Sequence, residues 1–243
     1  MITTGQPASF ATKTEVVDVV SGETCADLAD FPLTYYGGVG ANLDGTPIAC
    51  GGYSTVTSDT SQKCYKFTIS GWQEFVSMNE KRYYAAGVVY KHKFHVFGSW
   101  DGSKRSQTSE LISIDGGIEY GPELPSAVSS LAITSINATV SILSGGKTDT
   151  PNYSYSTLTW YFNHETGVFS SGPSLLEGRK SHGSATCVDK VTKDQIPVVT
   201  GGRGSDTFAS NDVILDSTEL LINGQWQPGT TIQFKKARCF YFL

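Results

Sequence analysis

Pro47-Ile48-Ala49-Cys50-Gly51-Gly52 is followed by Cys64-Tyr65-Lys66-Phe67-Thr68-Ile69 and then by Ser70-Gly71-Trp72. The first run is apolar and ends on two glycines. The second is rich in β-formers, and Ser-Gly is turn chemistry that reverses the chain before a large residue opens the next run. The same apolar run ending in glycine recurs as Met1-Ile2-Thr3-Thr4-Gly5, His95-Val96-Phe97-Gly98, Ser141-Ile142-Leu143-Ser144-Gly145-Gly146 and Pro197-Val198-Val199-Thr200-Gly201-Gly202. The first glycines fall at 5, 51, 98, 145 and 201, so the steps are 46, 47, 47 and 56 residues. A step that regular, each time behind an apolar run, marks a structural repeat.

A second element keeps the same phase. Thr14-Glu15-Val16-Val17, Ser109-Glu110-Leu111-Ile112 and Thr218-Glu219-Leu220-Leu221 share one pattern, and Glu15 to Glu110 spans 95 residues, about two periods. Cys64 to Ile69 and Leu158 to Phe162 fill the slot in the other two repeats. Turn residues follow each time, including Asp115-Gly116-Gly117 and Asn223-Gly224, which are strong hairpin signals. A large residue then opens another strand at Trp72, Tyr120, Phe169 and Trp226. A small, apolar run before the next glycine adds a fourth strand. Four short strands per period predict an all-β chain built as a β-propeller of about five four-stranded blades.

The second repeat, with Gly51-Gly52, then Tyr65, then Trp72 seven residues on, resembles the kelch-repeat family, and the resemblance extends over essentially the whole chain as five repeats. It implies one domain over 1–243, with repeats at about 5–51, 52–98, 99–146, 147–202 and 203–243 and residues 1–4 completing the last blade. The departures are Gly98-Ser99 in place of a diglycine, no Trp in the first, third and fourth repeats, and a longer fourth repeat. The ring is either closed with five blades or a segment of a six- or seven-bladed propeller. Gly51, Gly52, Gly145, Gly146, Gly201 and Gly202 allow close backbone approach. Tyr65, Trp72 and Trp226 fill the space between wedge-shaped blades.

The composition narrows the function. Charged residues make up 17 % and the net charge is −5, which argues against nucleic acid as a partner. No apolar run is long enough for a membrane-spanning helix, and the first twenty residues lack a signal-peptide pattern. The four histidines and five cysteines show no zinc spacing, so neither a metal nor a cofactor is implied. No nucleophile elbow or phosphate loop appears. Cys50 ends one strand and Cys64 lies in its predicted antiparallel neighbour; they are either bridged, which places the chain outside the reducing cytoplasm, or buried free thiols. Ser113 to Tyr120 loosely resembles the Asp-box of sialidase propellers, and Asn137 and Asn152 head glycosylation sequons.

The remaining reading is a non-catalytic protein-interaction module that binds through loops and a channel mouth. The polar loops after the glycine runs, at 53–63, 100–108, 147–157 and 203–217, are the candidate contact regions. Trp100, Lys104 and Arg105 have hot-spot chemistry. Arg82, Arg179 and Arg238 recur at one phase of the repeat; they either ring the channel mouth and grip an acidic partner or brace their own blades. The alternative is a glycan-binding or carbohydrate-active propeller of sialidase or galactose-oxidase type. Compartment and oligomeric state stay open.

Overall fold

The computed structural model describes residues 2–3, 12–17, 21, 24–25, 28–149, 155–189, 191–205 and 212–231. The chain is all-β, with no helix among the described residues. Four four-stranded antiparallel sheets follow one another along the chain. The first contains Val39–Leu43, Thr46–Cys50, Lys63–Thr68 and Gly71–Ser77, and the second Ala86–Tyr90, Lys93–Trp100, Arg105–Ser113 and Ile118–Tyr120. The third contains Ala132–Ser135, Val140–Ser144, Thr159–Asn163 and Val168–Ser171, and the fourth Gly183–Val188, Gln195–Thr200, Thr218–Ile222 and Gln225–Pro228. Within each sheet the strands pair in chain order, as a simple meander. Ahead of them, Ile2–Thr3, Thr14–Val17 and Thr24–Cys25 form a three-stranded sheet.

The leading strands of successive sheets lie side by side in order, from Val39–Leu43 to Gly183–Val188. That crowding explains why Gly40, Ala41, Ala86, Gly87, Ala132 and Gly183 occupy them. A Cβ at Gly87 would stand 2.4 Å from the Phe94 ring. The second strand of the second sheet, Lys93–Trp100, is buried on both faces along its interior, with His95 and Ser99 enclosed beside Phe94, Val96 and Phe97. Fourth strands face water, and Gly71–Ser77 is half-exposed along most of its length.

The core is divided into seams between neighbouring sheets. Leu43, Ile48, Phe94 and Ile112 pack in the first seam, Phe97, Leu143, Trp160 and Phe162 in the second, and Ile142, Leu175, Val199 and Trp226 in the third. Trp226 is 4 % exposed. On the other side of the first sheet, Tyr65 and Trp72 meet the Phe31 ring edge-on at 5.0 and 5.1 Å. The Trp72 indole N–H donates to Thr14 Oγ1 at 2.9 Å. Burying one such ring stabilises the seam by about 1.5–3 kcal/mol.

The paired glycines hold left-handed backbone, with φ of +67° and +99° at Gly51 and Gly52, +62° and +98° at Gly145 and Gly146, and +63° and +90° at Gly201 and Gly202. Their lack of a side chain matters as much as the dihedral. A Cβ on Gly51 would lie 2.3 Å from the Arg82 carbonyl oxygen, and one on Gly145 2.5 Å from that of Arg179. In place of that clash, the Gly52 and Gly146 N–H groups donate to those carbonyls at 2.8 Å. At Gly98-Ser99 only Gly98 has positive φ, +58°. That is why a serine fits the second position.

Cys50 and Cys64 face each other across the second and third strands of the first sheet and are joined by a disulfide. Both are buried, and Cys187 is an exposed free thiol. The Cys50→Ala, Cys64→Ala double variant is expected to lose about 3 kcal/mol of unfolding free energy, the chain-entropy value for a loop near fifteen residues. Urea melts of both proteins check this, and an unchanged midpoint rejects it.

Candidate functional site

Arg82 and Arg179 occupy equivalent positions in the segments joining the first to the second sheet and the third to the fourth. Arg82 donates through Nε to Glu110 Oε1 at 3.0 Å and through its terminal nitrogens to the Gly98 and Thr108 carbonyls and to Thr108 Oγ1. Arg179 donates to the Gly201 and Ser217 carbonyls, to Ser217 Oγ and to Glu219 Oε1 at 2.7 Å. Glu110 accepts further hydrogen bonds from the Asn79 and Glu80 backbone, and Glu219 from that of Leu176 and Glu177. Each arginine thus spans two sheets: its carbonyl binds the glycines of one, and its guanidinium the glutamate of the next. Both guanidinium side chains have no exposed surface. The expectation that they ring a channel mouth is therefore corrected, because every donor direction is turned inward. Arg238 lies outside the described residues, as do the Asn152 sequon and residues 239–243.

The glycine ends of the sheets form a face built on a repeated backbone pairing. The residue after each glycine run pairs with the residue after the arginine position: Tyr53 with Tyr36, Trp100 with Tyr83, Lys147 with Ser129, and Arg203 with Lys180. The next residues, Gly37, Tyr84, Ser130 and Ser181, all have positive φ. They are linked from sheet to sheet, with Tyr84 N–H donating to Gly37 O, Ser130 N–H to Tyr84 O, and Ser181 N–H to Ser130 O, at 2.8 to 2.9 Å. This rigid rim carries side chains of two kinds.

On the first two sheets they are aromatic. Tyr36 lies 5.6 Å from Tyr53 and 5.3 Å from Tyr83 between ring centroids, and Tyr83 stacks on Tyr84 at 3.8 Å. Burial, with hydrogen bonds to Tyr84 and Tyr36, pushes the Tyr83 phenol far above its ordinary range. It stays protonated. Trp100 continues the group, with the Arg105 guanidinium 5.0 Å above its ring.

On the last two sheets they are cationic. Lys180 sits 4.5 Å over the Tyr155 ring. Its ammonium is held below its ordinary pKa by burial first, and then by the positive charges of Arg203 and Arg105. Lys180 and Arg203 meet at a backbone bridge, and Arg105, ion-paired with Asp149, adds its field to the same part of the rim.

Of the loop residues picked from sequence, Lys104 is exposed and Trp100 is half-buried. Arg105 is mostly enclosed, sandwiched between Trp100 and the carboxylate of Asp149, which corrects its reading as an exposed contact. Asp101 Oδ1 accepts the backbone N–H groups of Ser103 and Lys104 at 2.7 and 2.9 Å, fixing the loop that presents them. Tyr36, Tyr53, Tyr83, Tyr84, Lys180 and Arg203 were not singled out by sequence. For Tyr53 and Arg203 the signal was a column one place after the glycines, and for Tyr83 and Lys180 a column one place after Arg82 and Arg179.

At the opposite ends of the second and third sheets a cleft of about 300 Å³ is lined by Tyr90, His95, Phe162, His164 and Glu165 among others. His95 Nε2 approaches Ser109 Oγ at 2.8 Å, and that hydroxyl donates to the Pro122 carbonyl, so His95 is the donor. His182, in the third seam, contacts Ser144 Oγ through Nε2 at 3.0 Å. Ser113 and Asp115 close the third-to-fourth strand hairpin of the second sheet. Among the described residues no group of three or more His, Cys, Asp or Glu is placed to hold a metal ion.

No protein-family model matches this chain, and no curated protein matches it. Among solved structures it is similar to that of YjhT, with a TM-score of 0.76 at 12 % identity, covering 90 % of this chain and 78 % of that one. At that identity the likeness concerns the fold alone. Among the described residues no helix is long and apolar enough to cross a membrane.

Proposed function

We propose that the four complete sheets are blades of a kelch-type β-propeller and that the protein is a non-catalytic protein-interaction module, docking its partner on the glycine-end face. The glycine pairs, the ordered contact of leading strands and the fold-level likeness to YjhT support the blade reading. The observation that carries the function is the rim itself, a hydrogen-bonded backbone that presents a tyrosine group on the first two sheets and Lys180 and Arg203 on the fourth. Aromatic and arginine side chains dominate interface energies, and positive potential favours an acidic partner. The Cys50–Cys64 bridge supports residence in an oxidising compartment.

The test is affinity capture of partners from tissue extract with the protein and with its Trp100→Ala, Lys104→Glu variant. The variant is expected to melt within a few degrees of the parent and to lose the specific partner. Retention of every captured protein by a folded variant rejects this face as the docking site.

A further inference from the structure

The first-to-second strand hairpin of the third sheet turns through Asn137-Ala138-Thr139, one of the sequons noted in the sequence. Ser135 pairs with Ser141 across its neck, and the Ile136 N–H donates to the Val140 carbonyl at 2.8 Å. Asn137 is exposed at the tip. Its Oδ1 accepts the Thr139 and Val140 backbone N–H groups, each at 2.9 Å, and the Thr139 hydroxyl at 3.3 Å. Backbone N–H groups can only donate, so they fix the amide oxygen towards the turn and leave the amide nitrogen, Nδ2, directed away from it. The hairpin also lies at the sheet end away from the glycines, since it precedes Val140–Ser144, the strand that runs into Gly145-Gly146. A bulky group on Asn137 therefore stays clear of the glycine-end face.

Resting on the reading that the Cys50–Cys64 bridge marks an oxidising compartment, we propose that Asn137 is a site of N-linked glycosylation. The sequon supplies the acceptor amide and a hydroxyl two residues on. In the transfer, Nδ2 forms a bond to the anomeric carbon of an oligosaccharide carried on a lipid diphosphate. The bond from that carbon to the phosphate oxygen breaks, and the lipid diphosphate leaves with its electron pair. One amide proton passes to a base of the transferase. The fold supplies what the three-residue motif alone does not. The tip is exposed, and the hydrogen bonds that shape the turn use only the amide oxygen, so they survive attachment of a sugar to the nitrogen.

The test sends the full chain through the secretory pathway of cultured eukaryotic cells behind a cleavable leader. A nonreduced digest is treated with peptide N-glycosidase in heavy-oxygen water, which converts each glycosylated Asn to a heavy-labelled Asp. Mass spectrometry is expected to find that label at residue 137, together with the linked Cys50 and Cys64 peptides. Thr139→Ala should abolish the label while keeping the backbone hydrogen bonds to Asn137, and Thr139→Ser should retain it. Asn137→Gln should remove it as well. Melting curves confirm that each variant is folded. A bare Asn137 in protein whose Cys50 and Cys64 are linked overturns this inference alone, as does a label that persists in Thr139→Ala. If both thiols are found free, the compartment reading falls, and this inference with it.

Discussion

Arg179→Ala is expected to lower the unfolding free energy by about 3–5 kcal/mol, enough to remove most of the stability of an ordinary domain. Glu219 is 2 % exposed, and with its partner removed its charge stays buried, while the Gly201 carbonyl loses the Arg179 donor and the Ser217 carbonyl keeps only the Gly201 N–H. The loss therefore reflects an uncompensated ion and not the strength of the pair. This distinction is testable, because the fold already contains an apolar version of the same joint. Val128 stands at the arginine position of the segment before the third sheet, with its carbonyl against Gly98, and Trp160 stands at the glutamate position opposite Leu143. Both are buried in the second seam. The double variant Arg179→Met, Glu219→Leu should therefore recover most of what the single variant loses. Urea titrations of the three proteins decide the matter. A single-variant loss below about 1 kcal/mol, or a double variant no better than the single, would sink the account.

Stability is expected to fall continuously as the pH drops from 7 towards 4, because three imidazoles are held neutral by the fold. Burial lowers His95 to about 3, helped by His164 and Arg82; burial lowers His182 to about 3, helped by Arg179; and burial lowers His164 to about 4. The unfolded chain takes up these protons near 6.5, so acid favours the unfolded state first. The stabilisation is fully present above that value and is lost progressively as the pH falls to the folded values. At pH 5 the two most buried rings, His95 and His182, each account for about 2 kcal/mol. Asp59, Asp115 and Asp189 are held below 3.8 by hydrogen bonds, so the window above about pH 4.5 belongs to the histidines. A calorimetric series from pH 7 to 4.5 should show a falling melting temperature, with a shallower slope for His182→Gln. A flat profile for the parent would mean that the imidazoles charge within the folded state.

The repeat was legible because it is written in residues with one backbone role. Gly51, Gly98 and Gly145 must leave room for a carbonyl from the next segment, so the spacing of 47 residues survives where the surrounding side chains differ. The hairpin at Asn223-Gly224 and the strands flanking it were local enough to read for the same reason. Cys50 and Cys64 were readable as neighbours because a meander places consecutive strands side by side.

The arginines were not legible in this way. Arg82 and Arg179 stand out in sequence as periodic cations, and a periodic cation on a repeat protein is equally consistent with a binding ring and a brace. Only the tertiary structure turns each guanidinium inward, because its partners Glu110 and Glu219 lie 28 and 40 residues away on the following sheet. The same distance hides the rim. Tyr36, Tyr53, Tyr83, Lys180 and Arg203 come from five segments spread over most of the chain, and no local pattern joins them. By itself the sequence determined the period, the strand content, the turns and the glycine positions, all of which depend on neighbours within a few residues. The tertiary structure decided which charges are buried and which side chains share a face, because desolvation and contact depend on what the next sheet brings alongside.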